Sequence, residues 1–147
     1  MAKCTVYDNT SFDELFKLDF NEIAEEALKE AAPILENSMK KAVRQAVEHE
    51  GDSELVESIK ANKPKKTRNG AWIVNVTPKG YSRYKVYRAK RKGRKHKVSN
   101  ALKAIWKEYG IAGRQPPCPF LAKATNDAKD EVFAAIQRTF DNKARID

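Results

Sequence analysis

Apolar positions recur at spacings of three and four over the first third of the chain. Phe16, Phe20, Ile23, Ala27, Ala31, Ile34, Ala42 and Ala46 make one stripe, with Glu22, Glu25, Glu26, Glu30 and Glu36 outside it, the pattern of a long amphipathic helix. Ser11-Phe12-Asp13-Glu14 matches a capping box at its start, where a hydroxyl and an acid three residues on satisfy two orphan amide donors. Gly51 ends the helix. Pro33 removes one internal hydrogen bond and its ring crowds the preceding turn, which predicts a kink over 29–33 or two helices meeting there. Asp52 or Ser53 caps a short second helix carrying Leu55, Val56 and Ile59.

The period then changes. Asn62 to Gly70 reads as loop, and Asn69-Gly70 as a turn. From Ala71 to Thr77, Trp72, Val74 and Val76 alternate with Ile73, Asn75 and Thr77, which predicts a strand. Thr77-Pro78-Lys79-Gly80 reads as a turn into a second strand, Tyr81 to Arg88, so that the two strands form a hairpin. After a basic tip over 89–97, Ser99 or Asn100 caps a helix whose apolar face is Val98, Ala101, Leu102, Ile105 and Trp106, ending at Gly110; a strand over 105–109 is the competing pattern. Pro116, Pro117 and Pro119 stiffen the following loop, with Pro119 in the first turn of a last helix built on Phe120, Leu121, Ala124, Ala128, Val132, Ile136 and Phe140. Residues 141–147 are expected to fray. Two or three strands framed by long helices make an α+β fold.

At 147 residues the chain suits a single domain, able to bury about 70% of the surface of its unfolded form. Cys4 and Cys118 form no C-x-x-C and suggest ordinary thiols in a reducing compartment. No apolar run approaches the ~20 residues that span a bilayer, and the N-terminus carries no secretory pattern, so a cytoplasmic product without a membrane partner is expected.

Charge changes the picture more than composition does. Residues 1–59 hold 6 Lys/Arg against 14 Asp/Glu, residues 60–97 hold 15 against none, and residues 98–147 hold 8 against 6, so that −8, +15 and +2 give the net +9. A stretch of 38 residues without a carboxylate cannot neutralise itself, and screening over about 8 Å means that only nearby acids help. Phosphates, a neighbouring subunit or the chain's own acidic helix are the available partners.

Catalytic signatures are missing: there is no Walker A loop, no G-x-G-x-x-G after a strand, no H-E-x-x-H, no G-x-S-x-G and no Cys/His pair at ligand spacing. His49 sits at a helix end, where the dipole favours a capping or solvated imidazole. His96 lies among Arg94, Lys95 and Lys97, which disfavour its protonation. A non-enzyme without cofactor or metal is expected; a small basic ribonuclease would instead need His96 to converge with Tyr84 or Tyr87. The alternative function is nucleic-acid binding by a hairpin over 79–97, with Arg83, Lys85, Arg88, Lys90, Arg91, Lys92, Arg94, Lys95 and Lys97 contacting phosphates and Tyr81, Tyr84 and Tyr87 offering stacking faces.

Two sets of short motifs point to a family. One is Glu108-Tyr109-Gly110 leading through Pro117 into Pro119, Phe120, Leu121 and Ala124; the other is Gly51, Leu55 and Ser58-Ile59-Lys60 after the long helix. In order and spacing over most of the chain this resembles the HK97 gp10-like proteins, tail-completion or head–tail joining components of tailed phages. The resemblance implies a virion structural protein of a phage or prophage, made in the host cytoplasm and placed at the neck or the head-proximal end of the tail. It implies a ring, hexameric in this reading, around the DNA passage, with copies of itself and adjoining connector or tail proteins as partners. In that reading Pro116 to Pro119 set the angle of the last helix, Trp72, Val74, Trp106, Tyr109 and Phe120 form the core beside it, and the hairpin from Arg83 to Lys97 is an arm that meets a neighbouring subunit, another phage protein or the DNA in the lumen. The opposite charges of the first helix and the arm suit head-to-tail contact between copies, or mutual neutralisation within one monomer.

Overall fold

The computed structural model describes residues 19–46, 53–87 and 95–144. In chain order the elements are α1 (Phe20–Ala46), α2 (Ser53–Ser58), β1 (Ile59–Ala61), β2 (Lys65–Lys66), β3 (Trp72–Ile73), β4 (Val76–Pro78), β5 (Tyr81–Tyr87), β6 (Lys95–Ser99), α3 (Asn100–Tyr109) and α4 (Leu121–Ala144). The fold is α+β, as the periodicities predict. Cys4, the capping box at Ser11 to Glu14, Phe16, His49 and Gly51 lie outside the described residues, as does the segment from Arg88 to Arg94.

Within the described residues an aspartate opens α1: Oδ1 of Asp19 accepts the Asn21 amide at 2.9 Å. The helix then continues through Pro33 to Ala46 as one element, so two helices do not meet near residues 29–33. Pro33 is exposed, and on that side water can take the carbonyl that the ring leaves without its donor.

α4 runs antiparallel to α1. Gln45 accepts from Lys123 at one end, Ser38 donates to the Ala124 carbonyl, Thr139 donates to Glu30, and Lys143 reaches Glu22 and Glu26 at the other end. The pair is lined by small residues: Ala27 and Ala31 on α1 and Ala124, Ala128 and Ala135 on α4 are all buried. Short side chains let two helices approach closely. α4 runs to Ala144, so the segment expected to fray, 141–147, lies partly in this helix and partly outside the described residues.

The larger apolar side chains gather where α1 meets the strands. Val43, Leu55, Val56, Ile59 and Phe120 form a buried cluster with Ala42 and Ala124, and Met39, Ala46, Val76 and Ala104 pack against it. Full burial of each larger member contributes about 1.5–3 kcal/mol relative to exposure. α2 passes directly into β1, so Ile59 is a strand residue and not a helical one. Ser58 makes the switch, its hydroxyl donating to the Leu55 carbonyl and its own carbonyl accepting from Lys79.

Strand pairing differs from the expected hairpin of 71–77 with 81–88. β4 pairs antiparallel with β1 (Ile59↔Pro78, Ala61↔Val76), β3 with β2 (Lys65↔Ile73, Lys66↔Trp72), and β5 with β6. The expected strand over 71–77 is two short ones; the partner of β3, β2, lies inside the expected loop over 62–70, and the partner of β4, β1, lies just ahead of it. One bent hairpin therefore covers 59–78, with Asn62 donating to the Asn75 carbonyl between its two ladders. Pro64 has no amide to donate, and the ladder breaks beside it. The turn at 78–80 is spent elsewhere: Lys79 donates to Ser58, while Asn100 donates its backbone amide to Gly80 and its side-chain amide to the Lys79 carbonyl. That anchoring separates the two hairpins.

Candidate functional site

The basic hairpin is β5 with β6. Its register sets Lys85 opposite Lys97, Val86 opposite His96 and Tyr87 opposite Lys95. Like charges directly opposite each other are unfavourable in a ladder. Of the expected arm cations, Arg83, Lys85, Lys95 and Lys97 stand on the two strands, and Lys97 is exposed; Arg88, Lys90, Arg91, Lys92 and Arg94 lie outside the described residues. The base of the hairpin is pinned by buried Ser82 and Val98 and by Asn100, with the Ser82 hydroxyl 3.4 Å from Oε2 of Glu54.

The second feature is the junction of α3 with α4. Ser99 caps α3, its Oγ accepting the Leu102 amide at 3.2 Å, and Gly110 ends the helix at φ +75° and ψ −179°. The chain then folds into a tight loop in which Ile111 donates to Gln115, Gln115 and Arg114 donate back to Ile111, and Cys118 donates to Lys107. Ala124 donates to the Phe120 carbonyl, which places Phe120 at the N-cap of α4 and Pro119 just ahead of the helix, not in its first turn. Phenylalanine has no oxygen with which to cap. Glu108 supplies it from α3: Oε2 accepts the amides of Phe120 and Leu121 at 2.9 and 3.1 Å. Tyr109, Ile111, Arg114, Pro116 and Pro117 border an open concavity of about 560 Å³ beside this loop.

The motif residues divide between these places. Leu55, Ile59, Phe120 and Ala124 share the core cluster, Ser58 joins α2 to the β1–β4 ladder, and Glu108 with Gly110 shapes the junction. Pro117 and Pro119 are exposed, and Leu121 lies at the surface. Of the expected core, only Phe120 is buried; Trp72, Val74 and Trp106 are half-buried, and Tyr109 is 73% exposed. Trp72 directs its Nε1 to Asn21, which also accepts from Lys66.

The orientation of α3 accounts for this difference. Its apolar face is split: Val98 ahead of the helix is buried and Leu102 and Trp106 are half-buried, while Ala101, Ile105 at 52% exposure and Tyr109 beyond them look outward. The opposite face carries buried Asn100 and Ala104, which packs against the core. The periodicity finds the helix but not the side on which it docks. Asn100 was the available signal, since its side-chain bond to Lys79 fixes which face lies inward.

On the acidic side, α1 pairs Glu25 with Lys29, Glu36 with Lys40, and Glu22 and Glu26 with Lys143. Among the described residues, the ion pairs of α1 are thus with lysines of α1 and α4, and Lys60 of β1 also acts on Glu36 at longer range. The Lys40 ammonium and the Ala61 amide, both bonded to Glu36, hold its carboxyl below the usual glutamate range. Among the described residues no group of His, Cys, Asp and Glu gathers as a metal site would require, and no described helix is long and apolar enough to cross a membrane.

A cationic hairpin, a helix with outward apolar residues and a rigid proline junction define a protein built to contact other macromolecules. The chain belongs to the HK97-gp10-like family, described as "Bacteriophage HK97-gp10, putative tail-component", whose model matches residues 9–85, a little over half of its length. It is thus a bacteriophage tail component. Gly51, Leu55, Ser58 and Ile59 fall inside the matched stretch, whereas Glu108 to Ala124 follow it. Neither the curated proteins nor the solved structures compared with the chain gave a match.

Proposed function

We propose that this tail component acts as a tail-completion or head–tail joining protein, a structural part of the neck that assembles as a hexameric ring and touches adjoining connector or tail proteins. Family membership supports the tail role, and the observation that carries assembly is the outward part of the apolar face of α3. A large exposed apolar patch on a soluble domain marks an interaction site. The basic hairpin serves as an arm that extends the contact to a neighbouring subunit or another phage protein. The protein works by fixing geometry and turns over no substrate.

The test is complementation of a phage carrying a disrupted gene. Wild-type protein should restore complete tailed particles, counted by negative-stain imaging. Arg91→Glu, Arg94→Glu and Lys95→Glu together should fold normally and fail to restore them. Full restoration by the triple variant would make the arm dispensable. The nucleic-acid reading is favoured by the Lys85–Lys97 pairing and makes a different forecast: with about seven phosphate contacts, DNA affinity should fall about a thousandfold or more between 50 and 200 mM salt.

A further inference from the structure

The helix pair carries two complementary surfaces at its opposite ends. At the α4 N-terminus lies the concavity lined by Tyr109, Ile111, Arg114, Pro116 and Pro117, and exposed Ile105 stands one helical turn before Tyr109 on α3. Arg114 is exposed, and no carboxylate lines this hollow. At the other end, the start of α1 presents Phe20, 55% exposed, beside exposed Asp19 and Glu22. Asp19 just before α1 and Glu22, Glu25, Glu26 and Glu30 in its first turns outnumber the cations beside them, which are Lys29, Lys143 of α4 reaching two of the glutamates, and Lys66 bonded to Asn21. One end is a hollow with a guanidinium; the other is an aromatic projection with carboxylates.

We propose that the Phe20 end of one copy docks into the Tyr109–Arg114 hollow of the next, with the Phe20 ring against the proline wall and a carboxylate of Asp19 or Glu22 on Arg114. An exposed aromatic and an arginine are the residue types that dominate interface energies, and a guanidinium–carboxylate pair fixes register. The two surfaces are separated by the 27-residue length of α1, about 40 Å, so one molecule cannot satisfy both within itself. Contacts between unlike surfaces are heterologous, and they close into a ring when the rotation from copy to copy completes a circle. This inference rests on the assembly reading above and specifies the surfaces that would carry it.

The experiment uses two full-length variants with complementary defects. Tyr109→Ala/Arg114→Glu damages the hollow, and Phe20→Ala/Glu22→Gln damages the projection; unchanged circular dichroism and melting temperature establish that each is folded. Mass measurement across a concentration series should show wild-type oligomers, and each variant should weaken self-association at least about tenfold. Mixing the two variants should yield a heterodimer and stop there, since only one sound hollow and one sound projection remain. Failure of the mixture to pair, or wild-type-like oligomers from either variant, overturns the docking. A wild-type chain that stays monomeric at millimolar concentration also overturns it, while complementation of the disrupted phage judges the tail role separately.

Discussion

The carboxylate of Glu108, near the end of α3, accepts the backbone amide of Phe120 at 2.9 Å and so caps the start of α4. A helix whose N-cap residue lacks an acceptor borrows one from its neighbour, and the bond fixes the angle between the two helices across the proline loop.

Replacing Glu108 with alanine should therefore destabilise the protein by about 1–2 kcal/mol, the usual effect of a lost N-cap. Glu108→Gln keeps an oxygen but loses the favourable charge at the helix N-terminus, and should lose about half as much. Urea denaturation of the three proteins measures the order; equal loss for both variants would mean that the charge, and not the hydrogen bond, holds the junction.

Gly110 should tolerate no side chain. Its φ of +75° with an extended ψ is a region reached essentially by glycine alone, and an added Cβ would stand 2.7 Å from the Gln115 carbonyl oxygen and 2.8 Å from the Pro117 nitrogen. Gly113 also has a positive φ but faces open space. Gly110→Ala should lower the melting temperature clearly more than Gly113→Ala; a smaller effect would show that the 111–117 loop yields.

Phe120→Ala empties a buried site and should cost about 3–5 kcal/mol. Tyr109→Ala, at an exposed position, should change monomer stability by less than about 0.5 kcal/mol. Chemical denaturation at a protein concentration below self-association separates the two. A large loss at Tyr109 would place its ring in the core.

Glu36 links stability to acid. Its folded carboxyl titrates below its unfolded value, chiefly because Lys40 donates to it and secondarily because the Ala61 amide does, so the unfolded chain binds the proton first as pH falls. The stabilisation is fully present above the ordinary glutamate pKa and disappears as pH drops through the lowered folded value. Glu36→Gln should flatten the fall of stability between about pH 5 and pH 3; an unchanged slope would assign it to other carboxylates.

Local chemistry was legible in the chain. Ser99 was one of two expected caps for α3, and its hydroxyl makes that bond because the cap lies within three residues of its partner. The long helix and the last helix followed from their apolar stripes, and Leu55, Phe120 and Ala124 proved to be core. Pairing between distant residues was not legible: a period of two marks a strand without naming its neighbour, and the turn at 78–80 closes no hairpin because Ser58 and Asn100, both distant in sequence, take its hydrogen bonds.

The sequence by itself determined the α+β composition, most helix positions and the opposed charges of the first helix and the basic segment, since these depend on residue order alone. Only the tertiary structure decided that Ile59 begins a strand, that 59–78 forms its own hairpin, and that part of the apolar face of α3 looks outward. Periodicity states that a helix has two unlike faces, but Asn100 and Glu108, bonding to partners brought near by folding, select the one that faces the body.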